Sequence, residues 1–459
     1  MISYWCEWAW LPDGLAGDVR ITVQDGQIGE VTPGAPAAAG DAELRGLTLP
    51  GFANAHSHAF HRALRGRTQG AGGTFWTWRE QMYAVAARLT PDTYLALARA
   101  AYAEMALAGY TVVGEFHYVH HRPDGSAYDD PNAMGAALVQ ATAEAGLRLT
   151  LLDTCYLAGG LSAEGSLPLA PQQRRFGDGD ADGWARRMRA RAGWAHTSGA
   201  EGSPSGRVRL AAAVHSVRAV PRDQLSVVAQ VAAQDGLPVH VHLSEQPAEN
   251  EATLVHYGRT PTDMLSDAGL LGPATTVVHA THLTDSDIAQ LGASATMVCL
   301  CPTTEADLAD GIGPGGALHR AGASLCIGSD QHVAIDPFEE LRRVEHHERL
   351  TSGVRGHFTP EQLLRIGSAD GYQSLGWPTG GHLRPGALAD FVTVATATPR
   401  TAGADAEQIL HAATAADVTT VVVAGEKVVS EGRHRLGPAA AIGRLLADAI
   451  AAVTPEVGS

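Results

Sequence analysis

The chain has little positive charge. It carries 33 lysine and arginine residues against 49 aspartate and glutamate residues, which gives a formal net charge of −16 at pH 7. Nucleic acids and anionic membrane surfaces are bound by basic patches. The charge balance therefore predicts that neither is a partner of this protein.

Cysteine is also scarce, and long apolar runs are missing. The five cysteines are widely spaced in apolar, strand-like contexts, and no Cys-x-x-Cys pair occurs. This pattern predicts buried free thiols in a reducing compartment. No run approaches the ~18 apolar residues of a membrane span, and no signal peptide is evident. We expect a cytoplasmic protein without a membrane anchor.

The middle of the chain alternates between apolar runs and alanine-rich stretches with helical character. Most of the runs are nearly continuous in Val, Leu, Ile and Ala, which is typical of parallel strands buried on both faces. Eight successive strand–helix units predict an α/β fold, a (β/α)8 TIM-like barrel. The predicted strands are 48–58, 110–120, 147–157, 208–220, 237–245, 275–283, 295–304 and 324–333.

The two ends of the chain differ from the middle. Short segments of alternating apolar and polar residues occupy 1–47 and 384–434, and we expect them to form one small β-sandwich. Residues 48–383 are predicted to form the barrel. Residues 435–459 are predicted to form a C-terminal helix that packs on the rest. The stretch 159–207 is rich in Gly, Ser and Arg, and is predicted to be a long loop with a short helix near 185–192.

A metal site is indicated at one end of the barrel. His56 and His58 end the first predicted strand, where residues two apart point to the same side. His242 ends the fifth strand, with His240 one pleat deeper, and Asp330 ends the eighth strand. The carboxyl ends of barrel strands meet at one rim. Three imidazoles and a carboxylate suit Zn²⁺, with iron and manganese as alternatives.

Two further residues at this level are candidate catalytic groups. Glu245 lies three residues beyond His242 and is a candidate proton shuttle. Its alternative role is that of an ordinary carboxylate at a helix N-terminus. His279 ends the sixth strand and could hydrogen-bond a water bound to the metal. His282 is the weaker choice, because it lies further into the loop.

The near absence of lysine bears on the number of metal ions. Lys427 is the single lysine of the chain and lies outside the predicted barrel. A carbamylated lysine on a barrel strand, which bridges two metals in binuclear hydrolases, is therefore not available. We predict a mononuclear site. Glu115 on the second strand is the alternative bridging group, although we favour a structural role for it.

Several stretches resemble the amidohydrolase superfamily, its single-zinc adenosine-deaminase-like subgroup and, within it, the formimidoylglutamate deiminase family. They are 50–58 (PGFANAHSH), 75–80 (FWTWRE), 215–220 (HSVRAV), 278–283 (VHATHL), 301–306 (CPTTEA) and 328–330 (GSD). The resemblance implies a homodimer that hydrolyses N-formimidoyl-L-glutamate to N-formyl-L-glutamate and ammonia in histidine degradation.

The same resemblance implies roles for individual residues. It implies that zinc is bound by His56, His58, His242 and Asp330. It also implies that the catalytic residues are Glu245, His279 and Asp330. The substrate, a small dicarboxylate, is expected to bind to His61, Arg79, Tyr118, His215 and Arg218.

The sequence departs from the family pattern at three positions. His61 stands where the family typically has Gln, Gln331 where Ser is usual, and Asp307 where Asn is frequent. Two other functions stay open. One is deamination of a purine or related ring, which predicts apolar and aromatic walls without paired arginines. The other is a non-catalytic barrel used as a binding module, which predicts lost metal ligands.

Overall fold

A computed structural model describes residues 2–69, 73, 75–190 and 204–454 of the chain. The strands are β1 Ile2–Leu11, β2 Gly14–Gln24, β3 Gln27–Thr32, β4 Ala42–Pro50, β5 Phe52–Ser57, β6 Tyr110–His117, β7 Arg148–Cys155, β8 Gly160–Ser162, β9 Gly165–Leu167, β10 Val208–Val214, β11 Val239–Leu243, β12 Thr275–His279, β13 Met297–Leu300, β14 Leu325–Ile327, β15 Phe391–Val394, β16 Val418–Val423, β17 Glu426–Ser430 and β18 Arg433–His434.

Helices fill most of the intervals between these strands. The α-helices are α1 Phe75–Ala86, α2 Pro91–Ala108, α3 Ala133–Ala145, α4 Ala181–Arg189, α5 Arg222–Asp235, α6 Pro247–Tyr257, α7 Pro261–Asp267, α8 Asp285–Ala293, α9 Pro302–Asp307, α10 Gly315–Ala321, α11 Pro337–Ser352, α12 Pro360–Gly367, α13 Ala369–Ser374 and α14 Ala439–Val453. Short 3₁₀ helices cover Ala59–Leu64, Pro171–Phe176, Pro204–Arg207, Ala406–His411 and Ala415–Asp417.

The predicted barrel is confirmed. Eight parallel strands follow one another in the order β5, β6, β7, β10, β11, β12, β13 and β14. A parallel bridge between Ser57 and Asp330 brings the last strand beside the first, so that the barrel is nearly closed. Strands β6, β7, β11, β12, β13 and β14 are buried along their whole length, which explains their continuous apolar sequences.

The first predicted strand, 48–58, differs from the structure because it belongs to two sheets. Its beginning is the end of β4, and its remainder is β5. Gly51 lies at the junction, where a Cβ atom would stand 2.3 Å from Oγ1 of Thr111. A glycine therefore lets the chain pass from one sheet to the other at close contact with β6.

The segments near the two termini form a second sheet. Its eight strands have the order β18, β17, β16, β15, β4, β1, β2 and β3, and it has its own buried cluster that includes Tyr4, Ile21 and Phe391. Helix α14 packs on the barrel side, where Ile442 and Leu446 are buried with alanines of α2. The two ends of the chain thus form one sheet separate from the barrel, and Ala439–Val453 form a helix.

The stretch 159–207 has more structure than the predicted loop. It contains the hairpin β8–β9, two 3₁₀ helices and helix α4, which begins at Ala181, four residues earlier than predicted. The side chain of Asp180 caps this helix by accepting a hydrogen bond from the Gly183 amide at 2.6 Å. Residues 191–203 of the predicted loop lie outside the described residues.

All five cysteines are buried free thiols, as predicted. Among the helices of the described ranges, none is both long enough and apolar enough to cross a membrane.

Candidate metal centre and catalytic cavity

Three histidine nitrogens converge at the carboxyl end of the barrel. Nε2 of His56 lies 3.1 Å from Nε2 of His58 and 3.1 Å from Nε2 of His242. Oδ1 of Asp330 lies 3.4 Å from the same atom of His56 and 3.5 Å from that of His58. The strand ends β5, β11 and β14 thus bring together the four side chains that the sequence predicts as ligands.

These separations fit a single tetrahedral metal ion. Ligand atoms bound to Zn²⁺ at ~2.0–2.1 Å in a tetrahedron stand about 3.3 Å apart. Among the described residues, Nδ1 of His56 has no hydrogen-bond partner, and its Nε2 faces the Nε2 atoms of both other histidines. His56, His58 and Asp330 form one group whose donor atoms are close enough to share an ion, and His56, His242 and His279 form another.

The outer nitrogens of the histidines support the same arrangement. Nδ1 of His58 lies 3.0 Å from the carbonyl oxygen of Phe116, and Nδ1 of His242 lies 2.8 Å from that of His215. Each Nδ1 therefore donates its proton to the backbone, which leaves the Nε2 lone pair for a metal. Burial lowers the pKa of His56, His58 and His242, so the rings are neutral, as metal binding requires.

Asp330 is positioned by contacts that the sequence did not reveal. A Cβ atom on Gly328 would stand 2.7 Å from Cβ of His56, so only glycine lets this segment approach β5. Asn54 accepts a hydrogen bond from the Ser329 amide at 2.9 Å and donates one to its hydroxyl at 2.7 Å. Asp330 itself has a φ of 41°, a left-handed conformation that is uncommon for aspartate.

His279 lies beside this cluster and faces two carboxylates with one nitrogen. Its Nε2 is 3.8 Å from Oε1 of Glu245 and 3.9 Å from Oδ2 of Asp330. Its Nδ1 is 3.4 Å from Oε1 of Glu305, a residue that sequence reasoning missed. Burial lowers the pKa of His279, but the charges of Glu245, Glu305 and Asp330 outweigh it and raise the pKa to about 10.

A cavity opens over the cluster, and the five predicted substrate contacts all line it. These are His61, Arg79, Tyr118, His215 and Arg218. Glu245, His279 and Asp330 also line it, together with an aromatic wall of Trp78, Tyr83, Tyr156 and Phe176. The structure thus brings the predicted catalytic and substrate-binding residues to one cavity.

The two arginines of the cavity make different contacts. Nε of Arg218 is 3.3 Å from Oε2 of Glu249, and its NH2 group is 3.7 Å from Oε2 of Glu245. The guanidinium of Arg79 lies over the ring of Tyr83, with 5.3 Å between its carbon and the ring centre. Arg218 therefore carries a positive charge to the edge of the metal-ligand cluster.

His61 is the departure that faces the cavity. Its Nε2 lies 3.2 Å from the hydroxyl of Tyr118, and its ring centre is 4.5 Å from that of His58. Burial lowers the pKa of His61 to about 3, so the ring is neutral. The other two departures contact each other, since Nε2 of Gln331 donates to Oδ2 of Asp307 at 3.0 Å.

Four residues that the sequence analysis weighed as metal ligands, bridging groups or catalytic groups are not part of the metal-ligand cluster. His240 is one pleat deeper and contacts the carbonyl of Ser374 at 3.0 Å. His282 contacts the carbonyl of Asp310 at 2.8 Å. Glu115 accepts hydrogen bonds from Ser57 at 2.6 Å and from the Ala59 amide at 2.7 Å. Lys427 lies on β17 of the terminal sheet.

Comparisons with family models cover nearly the whole chain. Residues 47–428 match the model of the amidohydrolase family. Residues 5–44 match the model of the N-terminal domain of the formimidoylglutamate deiminase HutF.

Three known proteins are similar to the chain over most of its length. Formimidoylglutamate deiminase of Pseudomonas aeruginosa is 38% identical over 449 residues, which cover 95% of this chain and 96% of that protein. 8-Oxoguanine deaminase of the same species is 30% identical over 387 residues, or 83% of this chain and 82% of the relative. The crystal structure of an amidohydrolase from Brucella melitensis has a TM-score of 0.89 and 32% identity, covering 99% of this chain and 100% of that one.

Proposed function

The chain belongs to the amidohydrolase family, and we propose that it hydrolyses N-formimidoyl-L-glutamate to N-formyl-L-glutamate and ammonia, a step of histidine degradation. The observation that carries the proposal is the presence of Arg79 and Arg218 in the cavity beside the metal-ligand cluster. A chain with a net charge of −16 gives a dicarboxylate no long-range attraction. Positive charge must therefore be supplied locally, and arginine binds carboxylates at two points. The similarity to the Pseudomonas aeruginosa enzyme supports the same substrate.

We propose that one Zn²⁺ per subunit is held by His56, His58, His242 and Asp330. The donor set supports this choice, because Nε2 of His56 lies 3.1 Å from Nε2 of His58, 3.1 Å from Nε2 of His242 and 3.4 Å from Oδ1 of Asp330, close to the spacing of a tetrahedral site. A zinc ion supplies a Lewis acid that lowers the pKa of water toward ~7. The cytoplasmic location and the homodimer stay predictions of the sequence and the resemblance.

The residues around the ligands suit addition of water to the formimidoyl carbon. Asp330 and His279 line the cavity on the side of the metal ligands. His279, whose pKa is raised to about 10, would hold the attacking water by donating a hydrogen bond to it, and Asp330 would take the proton of the water. A carbon–oxygen bond forms as the amidine becomes tetrahedral. Glu245, whose Oε1 is 3.8 Å from Nε2 of His279, would carry a proton to the terminal nitrogen. The carbon–nitrogen bond then breaks, ammonia is released, and the formamide remains as the product.

The glutamyl part of the substrate would bind further along the cavity. Arg218 already contacts Glu249 and Glu245, so a substrate carboxylate would share its guanidinium with them. The hydroxyl of Tyr118 and the rings of His61 and His215 offer further polar contacts on the same wall. Burial lowers the pKa of His215, which makes it a neutral partner rather than a second cation.

A second candidate function is deamination of a purine-type ring. The aromatic wall of Trp78, Tyr83, Tyr156 and Phe176 favours it, because a flat base stacks on such side chains. The similarity to the 8-oxoguanine deaminase also favours it. Two arginines in the cavity argue against it, since a neutral base offers no carboxylate for their guanidinium groups to bind.

One assay distinguishes the two functions. Metal-replete protein is incubated with N-formimidoyl-L-glutamate, 8-oxoguanine, guanine and adenosine, and ammonia release is measured together with the organic product. We expect turnover of formimidoylglutamate to N-formylglutamate and none of the ring substrates. The Glu245→Gln variant is the matched control, with retained metal and a kcat lower by ~10²–10⁴-fold. Turnover of the rings alone would overturn the proposal.

A further inference from the structure

The stretch 301–306 (CPTTEA) makes up most of the short helix α9 and its N-cap, Cys301. Its side chains contact Gln331, which follows the metal ligand Asp330, and His279, which lies beside the metal ligands. The hydroxyl of Thr304 accepts a hydrogen bond from the Gln331 amide at 3.3 Å, next to Asp330. Glu305 contacts His279. The four side chains assigned to the metal and the residues that line the cavity all lie outside this stretch, so its glutamate calls for a separate explanation.

Glu305 is held rigidly behind His279. Its Oε1 accepts a hydrogen bond from the Cys301 amide at 2.8 Å and lies 3.4 Å from Nδ1 of His279. The residue is 2% exposed. Because a carboxylate can only accept, Nδ1 of His279 must carry a proton and point at Glu305. The Cys301 amide prevents the carboxylate from turning away.

We infer that Glu305 is a positioning residue for His279, and that it acts by keeping the proton on Nδ1 so that Nε2 faces the reaction. This inference rests on the proposed function, in which Nε2 of His279 works between Glu245 and Asp330. The nitrogen that a histidine presents is set by the hydrogen bond of its other nitrogen. Without Glu305 the ring could rotate or carry its proton on the wrong atom.

A structural role of the same helix can be separated from this one, because the chain offers a matched residue. Glu340 is also buried, and it holds the other side of α9 by accepting hydrogen bonds from the amide and hydroxyl of Thr303 at 3.0 and 2.5 Å. Within the described part of the chain, Glu340 makes no hydrogen bond or ion pair with His279, Glu245 or Asp330. A change at Glu340 therefore disturbs the anchoring of the helix without removing the acceptor of His279.

The test compares Glu305→Gln, Glu305→Met and Glu340→Gln as metal-replete full-length proteins. Glutamine keeps an acceptor for the Cys301 amide but loses the charge, whereas methionine keeps the volume and loses both. We expect kcat on formimidoylglutamate to fall ~10-fold for Glu305→Gln and ~100-fold for Glu305→Met, the range of groups that orient metal-site residues. The KM and the metal content are expected to stay within about twofold. Glu340→Gln is expected to lower Tm while leaving kcat unchanged.

A double variant distinguishes a positioning role of Glu305 from a merely structural role, because only the positioning role depends on His279. In the His279→Gln background, whose residual rate is followed over long incubations, Glu305→Gln is expected to cost nothing more, because its partner is gone. Equal kcat losses in Glu305→Gln and Glu340→Gln, loss of metal from Glu305→Gln, or additive losses in the double variant would each overturn the inference. A wild-type protein that does not turn over formimidoylglutamate would instead refute the proposed function.

Discussion

The two ends of the barrel bury polar groups in opposite ways. At the amino-terminal end, Arg148 at the start of β7 donates to both oxygens of Asp390, at 2.6 and 3.1 Å. Tyr372 and the Ala424 amide each donate to Asp390 at 2.7 Å. Donors there meet acceptors, and the cluster ties the barrel to the terminal sheet.

At the carboxyl-terminal end, groups that can bind a metal ion face one another. The Nε2 atoms of His56, His58 and His242 face one another, with the carboxylate of Asp330 beside them. Two of the residues at this rim, His279 and Asp330, also have left-handed backbone conformations. Such strain and unmatched polarity persist where a ligand or a reaction uses them. One end of the barrel is therefore built for stability and the other for binding a cation.

The largest effect is expected from removing a metal ligand. His242→Asn is expected to abolish turnover and to weaken metal binding by more than the ~10–100-fold that loss of a supporting residue costs. His240→Asn is the matched control on the same strand, one pleat deeper, and is expected to keep its metal. Metal content by elemental analysis and kcat are measured for both. Full metal occupancy in His242→Asn would contradict the assigned ligand set.

A smaller effect is expected from removing the charge that would bind the substrate. In Arg218→Met, kcat/KM is expected to fall by roughly two to three orders of magnitude, because loss of one partner of a buried charged contact costs ~2–5 kcal/mol. Metal content is expected to stay intact. Arg222→Met is the control, since that arginine is half exposed and contacts Asp267 on the surface. Normal kinetics in Arg218→Met would remove this residue from the site.

The smallest effect on activity is expected at the opposite end of the barrel. Asp390→Asn leaves the guanidinium of Arg148 buried without its anion, so the free energy of unfolding is expected to fall by ~3–5 kcal/mol. The kcat of the folded enzyme is expected to be unchanged. Urea denaturation and steady-state kinetics measure the two quantities. Glu43→Gln breaks the exposed pair with Arg45 and is expected to cost at most ~1 kcal/mol. A reduced kcat in folded Asp390→Asn would mean that the two ends are coupled.

Much of the fold could be predicted because it depends on local patterns. Eight runs of apolar residues predict eight strands. Thr90, the N-cap, and Gly109, the C-cap, mark the two ends of α2. The ligands could be predicted because their strands end at the same rim. The division of 48–58 between two sheets could not, since it depends on the approach of Gly51 to Thr111.

The supporting residues could not be found for the same reason. Glu305 acts on His279 across 26 positions of the chain, and Asn54 acts on Ser329 across 275. A single sequence contains no record of such pairs. Arg218 was predicted to be a substrate contact, but its neighbours Glu245 and Glu249 appear only when the end of β11 and the first turn of α6 come beside the loop that follows β10.

The sequence by itself determined which chemistry the chain can perform. Residue types and their periodicity determined the succession of eight barrel strands, the four metal-ligand candidates and the exclusion of a lysine bridge in the barrel. Only the tertiary structure decided how these groups act, because the tautomer of His279, the backbone of Asp330 and the partners of Arg218 depend on contacts between distant segments. Hydrogen bonds and burial act over a few ångströms, and folding alone brings those atoms together.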